Sequence, residues 1–295
     1  MIDAAFIAVD WGTTNRRIYS IAEDGTVLAS ERDGHGILAM KRGDYPGEIA
    51  AIRARHGDLP VICAGMVGSN RGWAELPYLP CPADLPALAA GLTWIEPGRT
   101  AIVPGLSFIT GQRGDVMRGE EVQLLGAVAA GYTPADALLC QPGTHCKWAQ
   151  VAGGAVVSIR TCLTGELFAL LRQHSLLADT IAGDVADGPA FLSGVTDAAK
   201  GQLLSDLFAI RASALLDLRP AAEAASYASG LLIGNDVREQ SLRAGAPVYV
   251  LADPALGRLY AAAINARGAN PVLIDSHLAF AAGITAIWRL AHDCR

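Results

Sequence analysis

Residues 142–148 read PGTHCKW and place His145, Cys146 and Lys147 in succession. A histidine next to a cysteine could supply two ligands of a zinc site. The cysteine could instead be a nucleophile with a neighbouring base. As a third alternative, the Pro-Gly-Thr turn could bind an anion through its backbone N–H groups. Each alternative requires different partners elsewhere in the chain.

The partners for the first two alternatives are not evident. A structural zinc site usually takes four ligands from paired spacings, and none of the six cysteines belongs to a C-x-x-C pair. Nothing else in the sequence indicates acyl transfer. The cysteines fit reduced, mostly buried thiols of a cytoplasmic protein. The sequence therefore favours Pro142, Gly143 and Thr144 as an anion-binding turn, with His145 and Cys146 in structural or supporting positions.

A second loop, DWGTTN, has the same character. It follows the apolar run AAFIAV, so a strand is expected to deliver Asp10 at its carboxyl end. Gly12 lets the backbone turn closely, and Thr13, Thr14 and Asn15 supply hydroxyl and amide donors. Such a turn can bind phosphates while an adjacent acid holds Mg²⁺, commonly through water. Taken alone, the loop could also be a plain hairpin turn.

The two loops occupy equivalent positions in a repeated pattern of elements. In the first half, AAFIAV, RRIYSIA and TVLASE read as strands, and PGEIAAIRARHG reads as a helix. In the second half, ALLCQ, KWAQVA and AVVSIRT read as strands, and TGELFALLRQH begins a helix. A repeated supersecondary unit indicates a duplicated architecture. The two Gly-Thr hairpins could then hold a polyphosphate from both sides.

The rest of the chain indicates an α/β layer architecture. GEEVQLLGAVAAG reads as a helix between the halves, and APVYVLAD, LGRLYAAAINARG, PVLID and SHLAFAAGITAIWRLAH alternate strand and helix. The 295 residues are 52% hydrophobic with a formal net charge of −6, which argues against nucleic acid or an anionic membrane as partner. Neither a transmembrane run nor a signal peptide is expected.

The motifs together resemble one family. AVDWGTTNRR, AGMVGSNRGW, VMRGEEVQLLGA, PGTHCKW, TGEL and SGLLIG are similar, in family order, to the 2-dehydro-3-deoxygalactonokinases of the sugar kinase, hsp70 and actin superfamily. The resemblance implies ATP-dependent, Mg²⁺-assisted phosphorylation of the 6-hydroxyl of 2-dehydro-3-deoxy-D-galactonate in galactonate catabolism. It also implies two ribonuclease-H-like (actin-like ATPase) lobes of βββαβα topology with an active-site cleft between them.

The expected lobes are residues 1–134, with the first phosphate loop and the sugar-acid site, and residues 135–295, with the second loop and the adenine site. The small residues Ala281, Ala282 and Gly283 suit a final helix that crosses another near the hinge. A monomer or homodimer in the cytoplasm is expected, with ATP and the sugar acid as small-molecule partners.

Phosphate-binding residues follow from the resemblance and the loop pattern. Asp10 is the expected Mg²⁺ partner, through water, and a catalytic residue. Lys147 could add positive charge near the phosphates or could be an ordinary strand residue. At the usual Gly-rich adenosine loop this chain has Asp253-Pro254 instead. The expected cofactor-binding residues are Gly12, Thr13, Thr14, Gly143, Thr144, Lys147, Gly230 and Gly234.

Substrate residues are expected in the first half. An arginine fork suits the substrate carboxylate, and Arg17 and Arg118 are the candidates, with Arg16 the less favoured neighbour. Trp73 could pack on the sugar or belong to the core. Glu120 is the favoured general base, because adjacent helical residues diverge and one acid of the pair could cap the helix; Glu166 is the other carboxylate candidate. The expected substrate-binding residues are Asn15, Arg17, Ser69, Asn70, Trp73, Arg118, Glu121 and Glu166.

Two rival functions remain open at this point. The first is another kinase of the superfamily, acting on a different sugar acid or on an amino sugar. The second is a non-catalytic nucleotide switch of the actin type, which would not need the cluster of asparagine, serine, tryptophan and arginine found here. Sugar-dependent turnover of ATP separates an enzyme from a switch.

Overall fold

A computed structural model describes residues 3–293. The strands and helices of its first part follow in chain order: β1 (Ala4–Trp11), β2 (Arg16–Ala22), β3 (Val27–Asp33), α1 (Tyr45–His56), β4 (Val61–Gly65), β5 (Leu79–Pro80), α2 (Leu85–Ala90), β6 (Thr93–Glu96), β7 (Thr100–Ile102), β8 (Leu106–Thr110), β9 (Arg113–Met117) and α3 (Glu120–Ala129). The second part contains β10 (Ala137–Gln141), β11 (Cys146–Ala152), β12 (Ala155–Cys162), α4 (Thr164–His174), α5 (Pro189–Ala198), α6 (Leu203–Leu215), α7 (Ala224–Arg238), β13 (Pro247–Leu251), α8 (Pro254–Ala266), β14 (Asn270–Ile274) and α9 (Ser276–Asp293).

The predicted duplication is confirmed by the sheet topology. One sheet has the order β3-β2-β1-β4-β7-β6, and the other has the order β12-β11-β10-β13-β14. In each sheet the first strand of the repeat lies next to the second and pairs in parallel with the strand that follows the helical connection: β1 pairs with β4, and β10 with β13. A small sheet, β5-β8-β9, is added to the first repeat. The predicted α/β class is confirmed as well.

Contacts divide the chain into two units. The first comprises the described residues up to Ala137 together with Ala149–Arg160 and α9, and the second comprises Leu138–Trp148 and Thr161–Asp275. The sequence analysis assigned the last helix to the second lobe, whereas α9 packs on α3, α2 and β2 of the first unit. The division at residue 134 stays a prediction. Within residues 3–293, no helix is both long and apolar enough to span a membrane.

The first unit has its core on both sides of β1. Alternate residues of this strand, Ile7, Val9 and Trp11, pack with α1, β4 and β7. On its other side, Phe6 stacks on Trp288 of α9 with ring centroids 4.8 Å apart. Strand β1 is therefore buried on both faces, which is why its sequence is continuously apolar until Asp10.

Helices α3 and α9 approach closely through two glycines. A Cβ built on Gly283 would lie 2.0 Å from the carbonyl oxygen of Val122, and one on Gly126 would lie 2.0 Å from the carbonyl oxygen of Ala279. Backbone contact of this kind is possible only without side chains at the crossing. The small residues predicted to permit a helix crossing in α9 therefore do so, against α3 of the first unit.

We expect Gly283→Ala to destabilise the protein by about 1–3 kcal/mol, because the methyl group overpacks the crossing. The matched control is Gly47→Ala in α1, where a Cβ would meet nothing within 4 Å. Alanine there should raise stability by up to ~1 kcal/mol through helix propensity. Urea unfolding of the two variants measures both effects. Equal stabilisation by both substitutions would contradict the close crossing.

Candidate active site

The loop after β1 has its carbonyl groups hydrogen-bonded, whereas two of its N–H groups have no partner among the described residues. The carbonyl oxygens of Gly12, Thr13 and Thr14 accept N–H bonds from the segment 36–38, at 3.1, 3.1 and 3.3 Å. The Gly12 N–H donates to the Asn15 carbonyl oxygen at 2.9 Å. Among residues 3–293, the N–H groups of Thr13 and Thr14 donate to no other group. With its carbonyl groups occupied and the N–H groups of Thr13 and Thr14 free, this turn is suited to an anion.

Gly36 lies directly against the backbone of this loop. A Cβ on Gly36 would lie 2.4 Å from the carbonyl carbon of Thr14 and 2.5 Å from the carbonyl oxygen of Thr13. Its φ of −64° and ψ of 171° are available to any residue. Space, and not backbone conformation, therefore requires glycine here. The sequence analysis did not identify this residue.

Asp10, near the carboxyl end of β1, lies within range of the charge of Glu120 at the start of α3. Burial raises the pKa of Asp10 to about 6, the charge of Glu120 adds to that rise, and Arg17 opposes it. Gln123 donates its side-chain N–H to Asp10 Oδ2 at 3.4 Å. Hard oxygen ligands with mutually repelling charges are the donor set that Mg²⁺ prefers, and a bound cation would relieve the repulsion. These surroundings are compatible with Asp10 as a Mg²⁺ partner, which stays a prediction.

The two adjacent acids of α3 differ in their surroundings. Glu120 is half-buried and accepts the backbone N–H of Arg118 at 3.0 Å. Glu121 has no exposed surface, and both its carboxylate oxygens accept the N–H of Gly119, at 2.8 and 2.7 Å. Burial, followed by the charge of Glu120, raises the pKa of Glu121 to about 8. Glu121 thus serves the start of the helix, and its burial argues against the predicted substrate contact.

The two arginines of β2 also differ. Arg16 is buried, pairs with Asp33 at 3.0 Å and Glu48 at 2.7 Å, and lies over the ring of Trp11. It is committed to the structure of the first unit. Arg17 is half-buried and stands opposite Asp10 in the β1–β2 register. Its predicted contact with a substrate carboxylate stays a prediction.

The loop after β4 carries three more predicted substrate residues. Ser69 is buried and donates to the Met66 carbonyl oxygen at 2.7 Å, whereas the Asn70 side chain is exposed. Trp73 stacks on Tyr45 with centroids 5.6 Å apart and borders the core, so one of its ring faces is occupied. A contact between the other ring face of Trp73 and the sugar stays a prediction.

Arg118 is buried, and its Nη2 donates to the Leu76 carbonyl oxygen at 2.8 Å. Its guanidinium lies over the Tyr78 ring, 4.2 Å from the centroid. The Nε and Nη1 atoms are buried without a hydrogen-bond partner among the described residues. A buried cation with unused donors is costly unless an anion completes its shell. This supports Arg118 as a ligand-binding residue.

In the second unit, the loop after β10 rests on the start of α4. The Glu166 N–H donates to the Thr144 carbonyl oxygen at 2.8 Å, and a Cβ on Gly165 would lie 2.3 Å from the Gly143 carbonyl oxygen. The side chains of His145 and Glu166 pair at 2.6 Å. Gly165 therefore supports the second loop as Gly36 supports the first. The predicted substrate contact of Glu166 stays a prediction.

A cavity of about 290 Å³ opens beside this loop. It is largely apolar, and Phe168, Leu256 and Tyr260 supply large side chains, a composition that suits a flat heterocycle. Sequence reasoning missed most of this lining, which comes from three separate helices; apolar residues four apart, as at Leu256 and Tyr260, were the available signal. The cavity is lined by Gly143, Thr144, Thr164, Gly165, Phe168, Ser229, Leu232, Ile233, Leu256 and Tyr260.

Asp236 holds two of the lining side chains, those of Thr164 and Tyr260, by hydrogen bonds. Its carboxylate is buried and accepts bonds from Thr164 Oγ1, Tyr260 OH and Trp148 Nε1, each at 2.7 Å. Three donors satisfy a buried carboxylate and hold α4, α7, α8 and β11 in register. The sequence analysis did not identify Asp236.

Gly230 and Gly234 permit close packing of α7 on α5. A Cβ on Gly230 would lie 2.0 Å from the Phe191 carbonyl oxygen, and one on Gly234 would lie 2.7 Å from the Cα of Val195. Both glycines face α5, while Ser229 and Ile233 of the same helix face the cavity. Their absent side chains serve helix packing, and their predicted contact with the cofactor stays a prediction.

The remaining residues of PGTHCKW are turned inward. Lys147 is buried and its Nζ donates to Thr161 Oγ1 at 3.0 Å, so its predicted charge contact with phosphate stays a prediction. Cys146 has no exposed surface, and burial raises its thiol pKa well above the ordinary value. A buried, protonated thiol is inert as a nucleophile. Among residues 3–293, no group of three or more His, Cys, Asp or Glu could hold a metal ion.

Comparison with known proteins identifies the family. The 2-keto-3-deoxy-galactonokinase family matches residues 10–287, which include both Gly-Thr loops. The chain belongs to the 2-keto-3-deoxy-galactonokinase family. The resemblance seen in the motifs is therefore confirmed.

Relatives cover nearly the whole chain. A probable 2-dehydro-3-deoxygalactonokinase of Rhizobium meliloti (strain 1021) is 37% identical over 97% of this chain and 98% of its own length. The 2-dehydro-3-deoxygalactonokinase of Escherichia coli (strain K12) is 34% identical over 96% and 97%. A crystal structure of a Sinorhizobium meliloti protein assigned to the same kinases has a TM-score of 0.88 at 36% identity, covering 96% of both chains.

More distant structures share the fold alone. The activator of 2-hydroxyisocaproyl-CoA dehydratase from Clostridium difficile, solved with bound ADPNP, has a TM-score of 0.51 at 12% identity and covers 100% of this chain and 97% of its own. This likeness agrees with the predicted actin-like ATPase fold, which the comparisons confirm.

Proposed function

We propose that this chain is a kinase that transfers the γ-phosphate of ATP to the 6-hydroxyl of 2-dehydro-3-deoxy-D-galactonate, giving 2-dehydro-3-deoxy-6-phosphogalactonate. The observation that carries the proposal is membership of a kinase family along residues 10–287, with both Gly-Thr loops inside the match. The related proteins are named as 2-dehydro-3-deoxygalactonokinases.

The first unit would supply the phosphate turn and the catalytic acids. The free N–H groups of Thr13 and Thr14 would bind phosphate oxygens. Asp10 would hold Mg²⁺, which neutralises phosphate charge when bound. Glu120 would accept the proton of the attacking hydroxyl, since its carboxylate is half-buried and not enclosed like that of Glu121. The unused donors of Arg118 would bind the substrate carboxylate.

The second unit would supply the remaining nucleotide contacts. Gly143 and Thr144 would bind phosphate through their loop, and the adjoining cavity would accept the adenine between Phe168 and Leu256. Apolar walls with few polar groups are typical of sites for flat ligands. The Asp253-Pro254 turn begins α8, which brings Leu256 and Tyr260 to the cavity.

A coupled assay of ADP release tests this function. The purified chain is incubated with Mg-ATP and, separately, with 2-dehydro-3-deoxy-D-galactonate, its C4 epimer and an amino sugar. Turnover with the galactonate-derived acid, and far less with the others, is expected. Preferred turnover of another sugar would assign a different kinase specificity. ATP binding with no sugar-dependent turnover would refute the kinase proposal.

A further inference from the structure

Helix α6 is apolar on two faces. Leu207 and Ile210 are buried and pack in the core formed with α7. On the outer face, Leu204, Phe208 and Leu215 are exposed at 84%, 61% and 71%. A surface helix normally has one apolar stripe, and a helix that is apolar all round is normally buried all round. The outer stripe of α6 therefore has the composition of a buried surface.

The exposed apolar area is large enough for a stable protein interface. Two further exposed leucines follow the end of α6, Leu216 at 66% and Leu218 at 73%. Leu176 lies beside Arg211 and is 56% exposed. If a fully exposed residue of this size presents on the order of 200 Å², the six residues together expose on the order of 800 Å². A standard stable interface takes ~800 Å² from each partner. Isolated surface leucines do not reach this scale.

The stripe is complementary to itself. Its positions 204, 208, 211 and 215 are separated by four, three and four residues, a spacing that reads the same in both directions. Two antiparallel copies of α6 would therefore place Leu204 against Leu215 and Phe208 against Arg211, each contact occurring twice. A guanidinium over an aromatic ring is a favourable pair, so the single charge in the stripe gains a partner.

The residues beside the stripe permit close approach. Ser205, Ala209 and Ala212 occupy the flank next to the outer face, and their small side chains allow two helix backbones to come together. Arg211 is held in place, because its Nη1 donates to the Leu176 carbonyl oxygen at 3.1 Å. Self-complementarity is what a two-fold, isologous interface requires of a surface.

We propose that the outer face of α6 is a homodimer interface, in which two copies of this chain pair their α6 helices antiparallel across a two-fold axis. The occupant is a second copy because an antiparallel α6 places Leu204 against Leu215 and Phe208 against Arg211 twice over, and because the exposed apolar area is close to what one partner contributes to a stable interface. This assembly is independent of the proposed enzymatic activity.

Mass measurement by sedimentation and light scattering tests the dimer. The wild-type chain should have twice its 30.7 kDa mass, across concentrations from about 1 to 100 µM. Phe208→Asp should reduce the mass to that of one chain while the circular dichroism spectrum stays that of the folded protein, since the position is already exposed. The matched control is Ile109→Asp, where an isoleucine 75% exposed in the first unit is changed in the same way and the dimer should persist. A wild-type monomer throughout, or a dimer that survives Phe208→Asp, would overturn the proposal.

Cysteine cross-linking tests the antiparallel arrangement. Leu204→Cys combined with Leu215→Cys should form a covalent dimer on mild oxidation, whereas either substitution alone should not. The two positions lie eleven residues apart on one helix, about 16 Å, too far for a bond within a chain. Wild-type protein measures the background of native thiols. Cross-linking of the single variants to the level of the double variant, or none in the double variant, would contradict the arrangement.

Discussion

Glu120→Gln is expected to lower kcat by roughly 10²–10⁴-fold, the range that a general base contributes, while the Kd for Mg-ATP changes little. The amide keeps the shape of the side chain and its contact with the Arg118 N–H, but it cannot take a proton. It also removes the charge that helps to raise the pKa of Asp10. Steady-state kinetics with the galactonate-derived acid and nucleotide titration measure the two quantities separately.

The neighbouring Glu121→Gln is the matched control. The pKa of Glu121 is raised to about 8, so this side chain is mainly protonated at neutral pH and glutamine resembles it. Glu121→Gln should therefore leave kcat within a few-fold of wild type. Comparable losses in the two variants would show that the start of α3 is merely perturbed. Normal turnover of Glu120→Gln would remove Glu120 as the base and leave Asp10 or Glu166 for the role.

Glu121 also gives a pH dependence of stability. A carboxyl whose pKa is higher in the folded state than in the unfolded state favours folding when protonated. Its contribution is complete below the ordinary value of 4.5 and is lost as the pH rises through about 8. Wild type should therefore lose stability between about pH 4.5 and pH 8 relative to Glu121→Gln, with no further loss above that range, as chemical unfolding at each pH would measure. Parallel curves for the two proteins would contradict the raised pKa.

The repeated elements were predictable because they depend on local pattern. RRIYSIA and TGELFALLRQH coincide with β2 and α4, since strand alternation, turn glycines and helix signals agree in these segments. Both Gly-Thr loops follow strands, so their place in the topology followed as well. Sequence patterns within about ten residues carried this information.

The missed features depend on contacts between distant segments. The cavity is assembled from α4, α7 and α8, and Asp236 joins three side chains that are up to 88 positions away. SGLLIG was expected to back the nucleotide, and the close contacts of Gly230 and Gly234 with α5 were not evident from the sequence. The exposed stripe of α6 likewise could not be recognised from the sequence, because only the structure shows that Leu207 and Ile210 face the core and Leu204, Phe208 and Leu215 face solvent.

Gly36→Ala is expected to reduce kcat/KM for ATP by roughly 10²-fold, because a displacement on the order of 1 Å in a positioned group can cost this much. The new methyl group would meet the backbone of Thr13 and Thr14 at 2.4–2.5 Å. The phosphate loop must then shift, and the bonds from segment 36–38 to its carbonyl oxygens must lengthen. The effect should appear mainly in KM for ATP, with the KM for the sugar acid nearly unchanged.

Gly34→Ala separates this effect from a general change in the loop. Gly34 lies two residues earlier in the same connection, and a Cβ there would meet nothing within 4 Å. It should keep wild-type kinetics, and its thermal midpoint should match that of wild type. If both alanine variants lost affinity for ATP equally, flexibility of the connection and not the position of the first loop would be responsible.

The second loop gives an independent version of the same experiment. Alanine at Gly165 would place its Cβ 2.3 Å from the Gly143 carbonyl oxygen. In a helix this substitution would otherwise stabilise the protein by up to ~1 kcal/mol. A variant that unfolds at no lower temperature but binds ATP more weakly would identify Gly165 as a positioning residue for the second turn. Unaltered ATP affinity in both Gly36→Ala and Gly165→Ala would mean that neither Gly-Thr turn holds the nucleotide.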